Sequence, residues 1–152
     1  MSKVAAIFIT PNPGESLTSV KSIRAIVGRG VEGDRNFKNA GTLSKKSGND
    51  RDITLIEAEA IEALARDYGI ELGAHESRRN VLTRGVALNH LVGKEFQVGA
   101  VRLLGTQLCE PCGHLEKLTR KGVRAGLIHR GGLCARIVTE GEIQVGDAIR
   151  DA

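Results

Sequence analysis

Three cysteines have the most chemically informative spacing in the sequence. Cys109 and Cys112 form a Cys-Glu-Pro-Cys segment after a β-like run, and Cys134 lies in a later run. The pair suits a redox dithiol, a zinc half-site completed by Cys134 with His114 or His129, or one functional thiol. Small buried thiols that only pack are the fourth interpretation. Because the number is odd and no export signal is visible, thiol or metal chemistry is expected rather than a disulfide framework.

Basic residues beside strand ends form a second group. Arg78, Arg79 and Asn80 precede a β-like run and supply donors that suit a phosphate or a polar heterocycle, although a solvated strand start is the simpler interpretation. In a regular strand Arg78 and Arg79 point to opposite faces, so we expect that they do not share one pocket. Arg130 lies in a His-Arg-Gly-Gly turn that could bind an oxyanion or simply enter a hairpin.

Glycines at residues 28, 30 and 33 match the G-x-G-x-x-G pattern after a β-like run. A dinucleotide site requires a helix that opens at the third glycine, whereas here Asp34-Arg35 and a polar stretch follow. The pattern therefore predicts tight turns with positive φ. Backbone amides facing an anion, with Arg35 nearby, are the functional alternative.

Composition limits the classes of function. The chain has 152 residues, a formal net charge of +4, 19 glycines and 3% aromatic residues. The length suits one domain over residues 1–152, and the few aromatics argue against base stacking on nucleic acid. Like charges do not cluster, and no apolar run is long enough to span a membrane. We therefore expect a cytoplasmic protein that binds neither nucleic acid nor a membrane.

Mostly short strands must position these residues. We predict strands at residues 4–10, 22–27, 52–55, 80–83, 95–98, 101–108, 133–139, 142–145 and 147–150. Gly141 predicts a hairpin between residues 133–139 and 142–145, and residues 36–51 read as a polar surface loop.

One clear helix is predicted among these strands. Thr54 followed by Glu57 matches a capping box, apolar residues follow at helical spacing, and Gly69 fits a left-handed C-terminal cap. Residues 87–92 predict a short helical turn. Many short strands with one main helix indicate a mainly β fold with some α, a β-barrel with flanking helices.

Four segments, taken in order, resemble the MOSC domain family, named after the C-terminal domain of molybdenum cofactor sulfurase. They span nearly the whole chain and are GVEGDR at residues 30–35, SRRNV at 77–81 with LVGKEF at 91–96, CEPC at 109–112, and RGGL at 130–133 through GEIQVGD at 141–147. The resemblance implies a MOSC-type β-barrel, in agreement with the predicted elements.

The resemblance also implies site residues. It implies binding of a molybdenum cofactor of the molybdopterin type, with Cys112 as the functional thiol, either a metal ligand or a sulfur carrier. Arg78 and Asn80 would contact the cofactor's phosphate and pterin, and Arg35 and Arg130 would be auxiliary anion contacts. Pyridoxal phosphate would not be bound by this domain itself.

The implied activity is reduction of small N-hydroxylated compounds, or sulfur transfer through the Cys112 thiolate. Because the resemblance covers a lone domain without iron–sulfur or lyase domains, a partner protein would supply electrons or sulfur. Two alternatives remain open. They are a non-catalytic cofactor carrier or adaptor, and a zinc-stabilised barrel that uses Cys109, Cys112 and Cys134.

Overall fold

The computed structural model describes residues 2–38 and 51–152, and β-strands dominate this part of the chain. The strands are β1 Lys3–Ile9, β2 Thr18–Val20, β3 Ser22–Ile26, β4 Gly30–Val31, β5 Ile53–Glu57, β6 Val81–Arg84, β7 Glu95–Val98, β8 Val101–Leu108, β9 Leu133–Ile137, β10 Gly141–Gln144 and β11 Ile149–Asp151. The α-helices are α1 Ala58–Tyr68, α2 Gly113–Leu118 and α3 Val123–Gly126, with 3₁₀ turns at Ala74–Ser77 and Leu88–Leu91. Most of the predicted polar loop, residues 39–50, lies outside the described residues.

Two sheets organise the described strands. The larger one has eight strands in the order β11-β7-β8-β9-β5-β6-β1-β2 and is curled into a half-barrel. The smaller one has the order β10-β3-β4. Neighbours in both sheets are antiparallel except β5 and β6, which run parallel. The predicted fold class, mainly β with one main helix and short flanking helices, is confirmed.

Aliphatic side chains fill the interior of the curled sheet. Strand β8 alternates buried and partly exposed positions over most of its length, as a strand with one buried face does. Strand β5, central in the sheet and covered by α1, buries four successive residues. Phe96 is the aromatic residue of this cluster and is fully buried. Burial of this apolar surface is the main stabilising contribution to the fold.

The main helix begins later than the sequence predicts. Thr54 lies inside β5, and its backbone and hydroxyl groups bond to Asn80, so the capping-box prediction is wrong. Helix α1 starts at Ala58 and ends at Tyr68, and the φ of 67° at the following Gly69 confirms the predicted left-handed cap. Within residues 2–38 and 51–152, no helix has both the length and the apolarity needed to cross a membrane.

The hairpin predicted around Gly141 is also wrong. Strand β9 pairs with β5 and β8, whereas β10 pairs with β3 in the smaller sheet. After β9 the amides of Val138 and Thr139 both donate to the carbonyl of Arg102, and Gly141 then begins β10 in the smaller sheet. Gly141 therefore lies where the chain passes from the larger sheet to the smaller one.

Candidate functional site

Four arginines and one cysteine line a cleft of about 230 Å³. We call it the arginine cleft and define it by Arg35, Arg51, Arg78, Arg79 and Cys112. The remaining lining residues are Pro13, Gly14, Asn36, His114 and Leu115. Segments far apart in sequence therefore converge on one concave, positively charged surface.

A kink at Arg78 brings two neighbouring arginines to the same cleft. Arg78 follows the 3₁₀ turn Ala74–Ser77, and its N–H donates to the carbonyl of His75. Its φ of 63° is left-handed, so regular alternation begins only afterwards. Arg78 Nη1 donates to the carbonyl of Glu15 at 2.8 Å. The prediction that Arg78 and Arg79 cannot share a pocket is therefore wrong, because the backbone there is not extended.

Arg79 is tied to the backbone beside Cys112. Its Nε donates to the carbonyl of Gly131 at 2.8 Å, and its Nη2 donates to that of Cys109 at 3.1 Å. Burial, followed by the charge of the nearby Arg51, lowers the pKa of Arg79 to about 10, although the Cys112 sulfur opposes the shift. Arg79 remains a cation at neutral pH. Gly131 is required here because a Cβ atom would meet the carbonyl oxygen of Cys109.

Arg35 lies in the cleft, as the resemblance implies. Its Nη1 bonds Asp34 Oδ1 at 3.2 Å, and its Nη2 donates to the carbonyl of Arg78 at 3.1 Å. Burial, followed by the charge of Arg35, lowers the pKa of Arg78. The preceding glycines at residues 28, 30 and 33 all have positive φ, which confirms tight turns. No helix opens between Gly33 and residue 38, where the described segment ends.

Cys112 carries a free, exposed thiol in the cleft. It adopts an extended conformation immediately before α2. Cys109 and Cys134, in contrast, are fully buried and joined by a disulfide. The Cys109–Cys112 dithiol and the three-cysteine zinc site are therefore wrong, since two of the sulfur atoms are bonded to each other. The expectation against a disulfide fails because β8 and β9 are neighbours in the sheet.

Asn80 supports the cleft from behind rather than lining it. Only 2% of the residue is exposed. Its Oδ1 accepts from the amide and hydroxyl of Thr54, and its Nδ2 donates to the carbonyl of Phe8. These bonds connect the start of β6 to β5 and β1. The contact with the pterin implied for Asn80 is therefore not part of the arginine cleft.

Arg130 belongs to a different surface. We call residues 129–132 the Arg130 loop. Arg130 is exposed and, with Glu57, Asn89 and His129, borders a separate cavity of about 50 Å³. The Glu110 carboxylate accepts from the His129 amide at 2.7 Å and lies 2.6 Å from Nδ1. The auxiliary anion contact implied for Arg130 is thus separate from the cleft that holds Cys112.

Arg51 and His114 line this cleft, although the sequence analysis predicts neither of them for it. Arg51 is the last residue of the polar stretch that precedes β5, and it belongs to no recognisable sequence motif. His114 follows Cys112 by two residues and was considered only as a zinc ligand. Within the described ranges, no group of three or more His, Cys, Asp or Glu residues could hold a metal ion.

The sequence model of the MOSC domain matches residues 42–150. This chain belongs to the MOSC domain family. The comparison with curated proteins gives no match. The family assignment therefore rests on the domain model, which covers more than half of the chain.

Solved structures show the same MOSC-type fold. The YUAD protein from Bacillus subtilis superimposes with a TM-score of 0.77 at 19% identity, covering 98% of this chain and 94% of that one. YiiM from Geobacillus stearothermophilus gives 0.74 at 16% identity, with coverages of 100% and 75%. YiiM from Escherichia coli gives 0.70 at 17% identity, with coverages of 100% and 70%. At these identities the likeness establishes the fold of this MOSC domain alone.

The donors in the cleft fit a phosphate-bearing molybdenum cofactor. Guanidinium groups bind phosphate oxygens with two parallel hydrogen bonds, and a thiolate is a soft ligand that suits molybdenum. Arg35, Arg51, Arg78 and Arg79 would hold the anionic part, and Cys112 would face the metal. No carboxylate is among the described residues that line the cleft.

Proposed function

We propose that this MOSC domain binds a molybdenum cofactor of the molybdopterin type in the arginine cleft. One observation carries the proposal: the exposed thiol of Cys112 lies in the same cleft as four guanidinium groups. A cluster of cations without lining carboxylates favours a ligand with several negative charges. A free thiol in that cluster favours a ligand that also has a soft, electrophilic centre.

The residues divide the work by chemistry. The four arginines neutralise and orient the phosphate, and Arg79 keeps a fixed direction because Gly131 and Cys109 hold it. Cys112 would ligate the metal through its thiolate sulfur. When bound, the cofactor supplies two-electron redox chemistry. Reduction of an N-hydroxylated compound to its amine releases water and consumes two electrons and two protons, and a partner protein delivers those electrons.

Sulfur transfer is the second candidate, and the exposure of Cys112 favours it. A donor protein must reach the accepting sulfur directly, and Cys112 is the free cysteine of the described chain. In this reaction the Cys112 thiolate attacks the outer sulfur of a donor persulfide. The donor leaves as a thiolate, and Cys112 becomes the persulfide.

Elemental analysis tests cofactor binding. The protein is produced in cells that make the cofactor, and molybdenum per chain is measured after purification. We expect near-stoichiometric metal in the wild type, a loss of about tenfold in Arg78→Ala, and no loss in Arg84→Ala, whose side chain pairs with Glu62 on an exposed surface. Molybdenum below about a tenth of an atom per chain, unchanged in Cys112→Ser, contradicts metal binding by this thiol.

Two further measurements separate the roles. Turnover of an N-hydroxylated compound with a chemical reductant supports the reductase, whereas bound metal without turnover indicates a carrier or adaptor. Mass spectrometry after incubation with a persulfide donor detects one added sulfur atom. We expect that atom on the wild type and not on Cys112→Ser if the domain carries sulfur.

A further inference from the structure

A buried carboxylate lies behind the arginine cleft. Only 1% of the Asp34 side chain is exposed. Its Oδ1 accepts from the amide of Thr10 and from Arg35 Nη1, both at 3.2 Å. Its Oδ2 is buried and has no hydrogen-bond partner among residues 2–38 and 51–152. An unsatisfied buried carboxylate oxygen destabilises the fold, so its position requires a reason beyond packing.

Arg35 connects this carboxylate to the kink at Arg78. While Nη1 faces Asp34, Nη2 donates to the carbonyl of Arg78 at 3.1 Å. Arg78 has the left-handed backbone that directs both its own side chain and that of Arg79 into the cleft. The amide of Arg35 also donates to the carbonyl of Thr10 at 2.6 Å, which fixes the base of the connection.

We propose that Asp34 is a positioning residue for anion binding. It holds the guanidinium of Arg35 against the carbonyl of Arg78 and so keeps the kink formed before a ligand arrives. A planar guanidinium can bridge two acceptors because its donors form a rigid fork. The proposal rests on the anion-binding function assigned to the arginine cleft.

Charge alone predicts the opposite effect, which makes the role testable. Asp34 is negative and lies beside cations, so Coulomb attraction for an anionic ligand should increase when that charge is removed. Loss of positioning should instead weaken binding, because Arg35 and Arg78 are no longer held in place. The sign of the change distinguishes the two accounts.

The experiment measures the affinity of the full chain for inorganic pyrophosphate by calorimetry. Asp34→Asn removes the charge and leaves only a neutral amide oxygen, a weaker acceptor for the guanidinium of Arg35. We expect about tenfold weaker binding than in the wild type, and no further loss when Asp34→Asn is added to Arg35→Ala. The control Asp67→Asn, on the surface at the end of α1, should bind as the wild type does. Unchanged or tighter binding in Asp34→Asn, or additive losses in the double variant, overturns the proposal.

A second variant covers the case in which Asp34→Asn does not fold. Arg35→Lys keeps the charge, but a single ammonium replaces the fork that reaches both Asp34 and the carbonyl of Arg78. We expect about fivefold weaker pyrophosphate binding, since roughly one charge-assisted hydrogen bond is lost. Wild-type affinity in this variant overturns the positioning role.

Failure of the proposed function has a different signature. If the wild type does not bind pyrophosphate, anion binding by the cleft is wrong, and positioning is then tested by amide hydrogen exchange in Asp34→Asn and Arg35→Lys. The amide of Arg78 donates to His75, and we expect its exchange to accelerate about tenfold in these variants because the kink is less stable. Unchanged exchange at Arg78 overturns the proposal without reference to any ligand.

Discussion

The arginine cleft and the Arg130 loop both combine arginine with glycine, yet they differ in available charge. In the Arg130 loop, the His129 ring pairs with Glu110, and Arg130 acts electrostatically on Glu57 and Asp67. In the cleft, four guanidiniums share a surface whose described lining contains no carboxylate. Asp34 lies behind that surface and is covered.

The difference shows that the number of arginines does not define an anion site. An anion site needs guanidinium groups whose charges are not already paired with carboxylates. Backbone carbonyls can hold such groups in place without neutralising them. The guanidinium of Arg79 donates only to carbonyl oxygens among its described hydrogen-bond partners, so no carboxylate in that set neutralises its charge. The charge of Arg130, in contrast, is partly offset by the carboxylates of Glu57 and Asp67.

The largest expected contrast is in anion affinity. Arg78→Ala should weaken binding of inorganic pyrophosphate about tenfold or more, because it removes a charge-assisted contact from the cleft. Arg130→Ala should change the affinity by less than about twofold, as a surface charge does. Isothermal titration of both variants checks this difference. Equal losses of pyrophosphate affinity in the two variants would show that both surfaces contribute to one anion-binding site.

A second contrast concerns the cysteines. Maleimide labelling of the folded, unreduced protein should modify Cys112 alone, because Cys109 and Cys134 are buried and bonded to each other. Cys112→Ser should therefore label at a background level. Unfolding with reductant should expose the remaining thiols in both proteins. Fast labelling of Cys109 or Cys134 in the folded state would contradict the disulfide.

Replacing Arg79 should lower the stability of the fold more than replacing Arg84, an exposed arginine at the end of β6. Arg79→Lys should lower the free energy of unfolding by about 2 kcal/mol, since the carbonyls of Gly131 and Cys109 lose their guanidinium donors. Arg84→Lys should leave the free energy of unfolding close to that of the wild type, because the Arg84 side chain is exposed. Urea unfolding measures both. A cost below that of Arg84→Lys would show that Arg79 does not hold the Gly131 turn.

The smallest effect is a pH dependence in the Arg130 loop. The amide of His129, followed by its ring, lowers the pKa of Glu110 below the ordinary value. The carboxylate therefore stabilises the fold above that ordinary value, and this contribution disappears as pH falls through the lowered pKa. Glu110→Gln should lower the Tm by about 1–2 °C at pH 7 and by nothing at low pH. The control is Glu140→Gln, which changes an exposed residue immediately before β10. A Tm difference that does not vary with pH, or an equal Tm difference in the control, would contradict this assignment.

Local patterns predicted local features well. Residues 95–98 and 101–108 are strands as predicted, and Gly69 ends α1, because alternation and a left-handed cap depend on neighbouring residues. Thr54 shows the limit. Its spacing to Glu57 matches a capping box, but pairing of β5 with β6 and β9 decides the conformation there. Tertiary pairing outweighs a cap that contributes only about 1 kcal/mol.

The site could be predicted only in part. The family resemblance implies roles for Cys112, Arg35 and Arg78, and the structure places these three residues in one cleft. Strand alternation predicts that Arg79 points away from Arg78, because nothing local marks the left-handed backbone of Arg78. The Cys109–Cys134 bond depends on β8 lying beside β9. The sequence does not show this pairing, and the close spacing of Cys109 and Cys112 instead suggests that those two residues act together.

An NMR titration tests whether one cleft holds both the thiol and the anion. Inorganic pyrophosphate is added to the labelled full chain while backbone amide shifts are followed. We expect the amides of Arg79 and Cys112 to shift along one binding curve, and the amide of Arg130 to stay unchanged. Shifts centred on the Arg130 loop, or a saturating response that leaves Cys112 unmoved, would contradict this expectation.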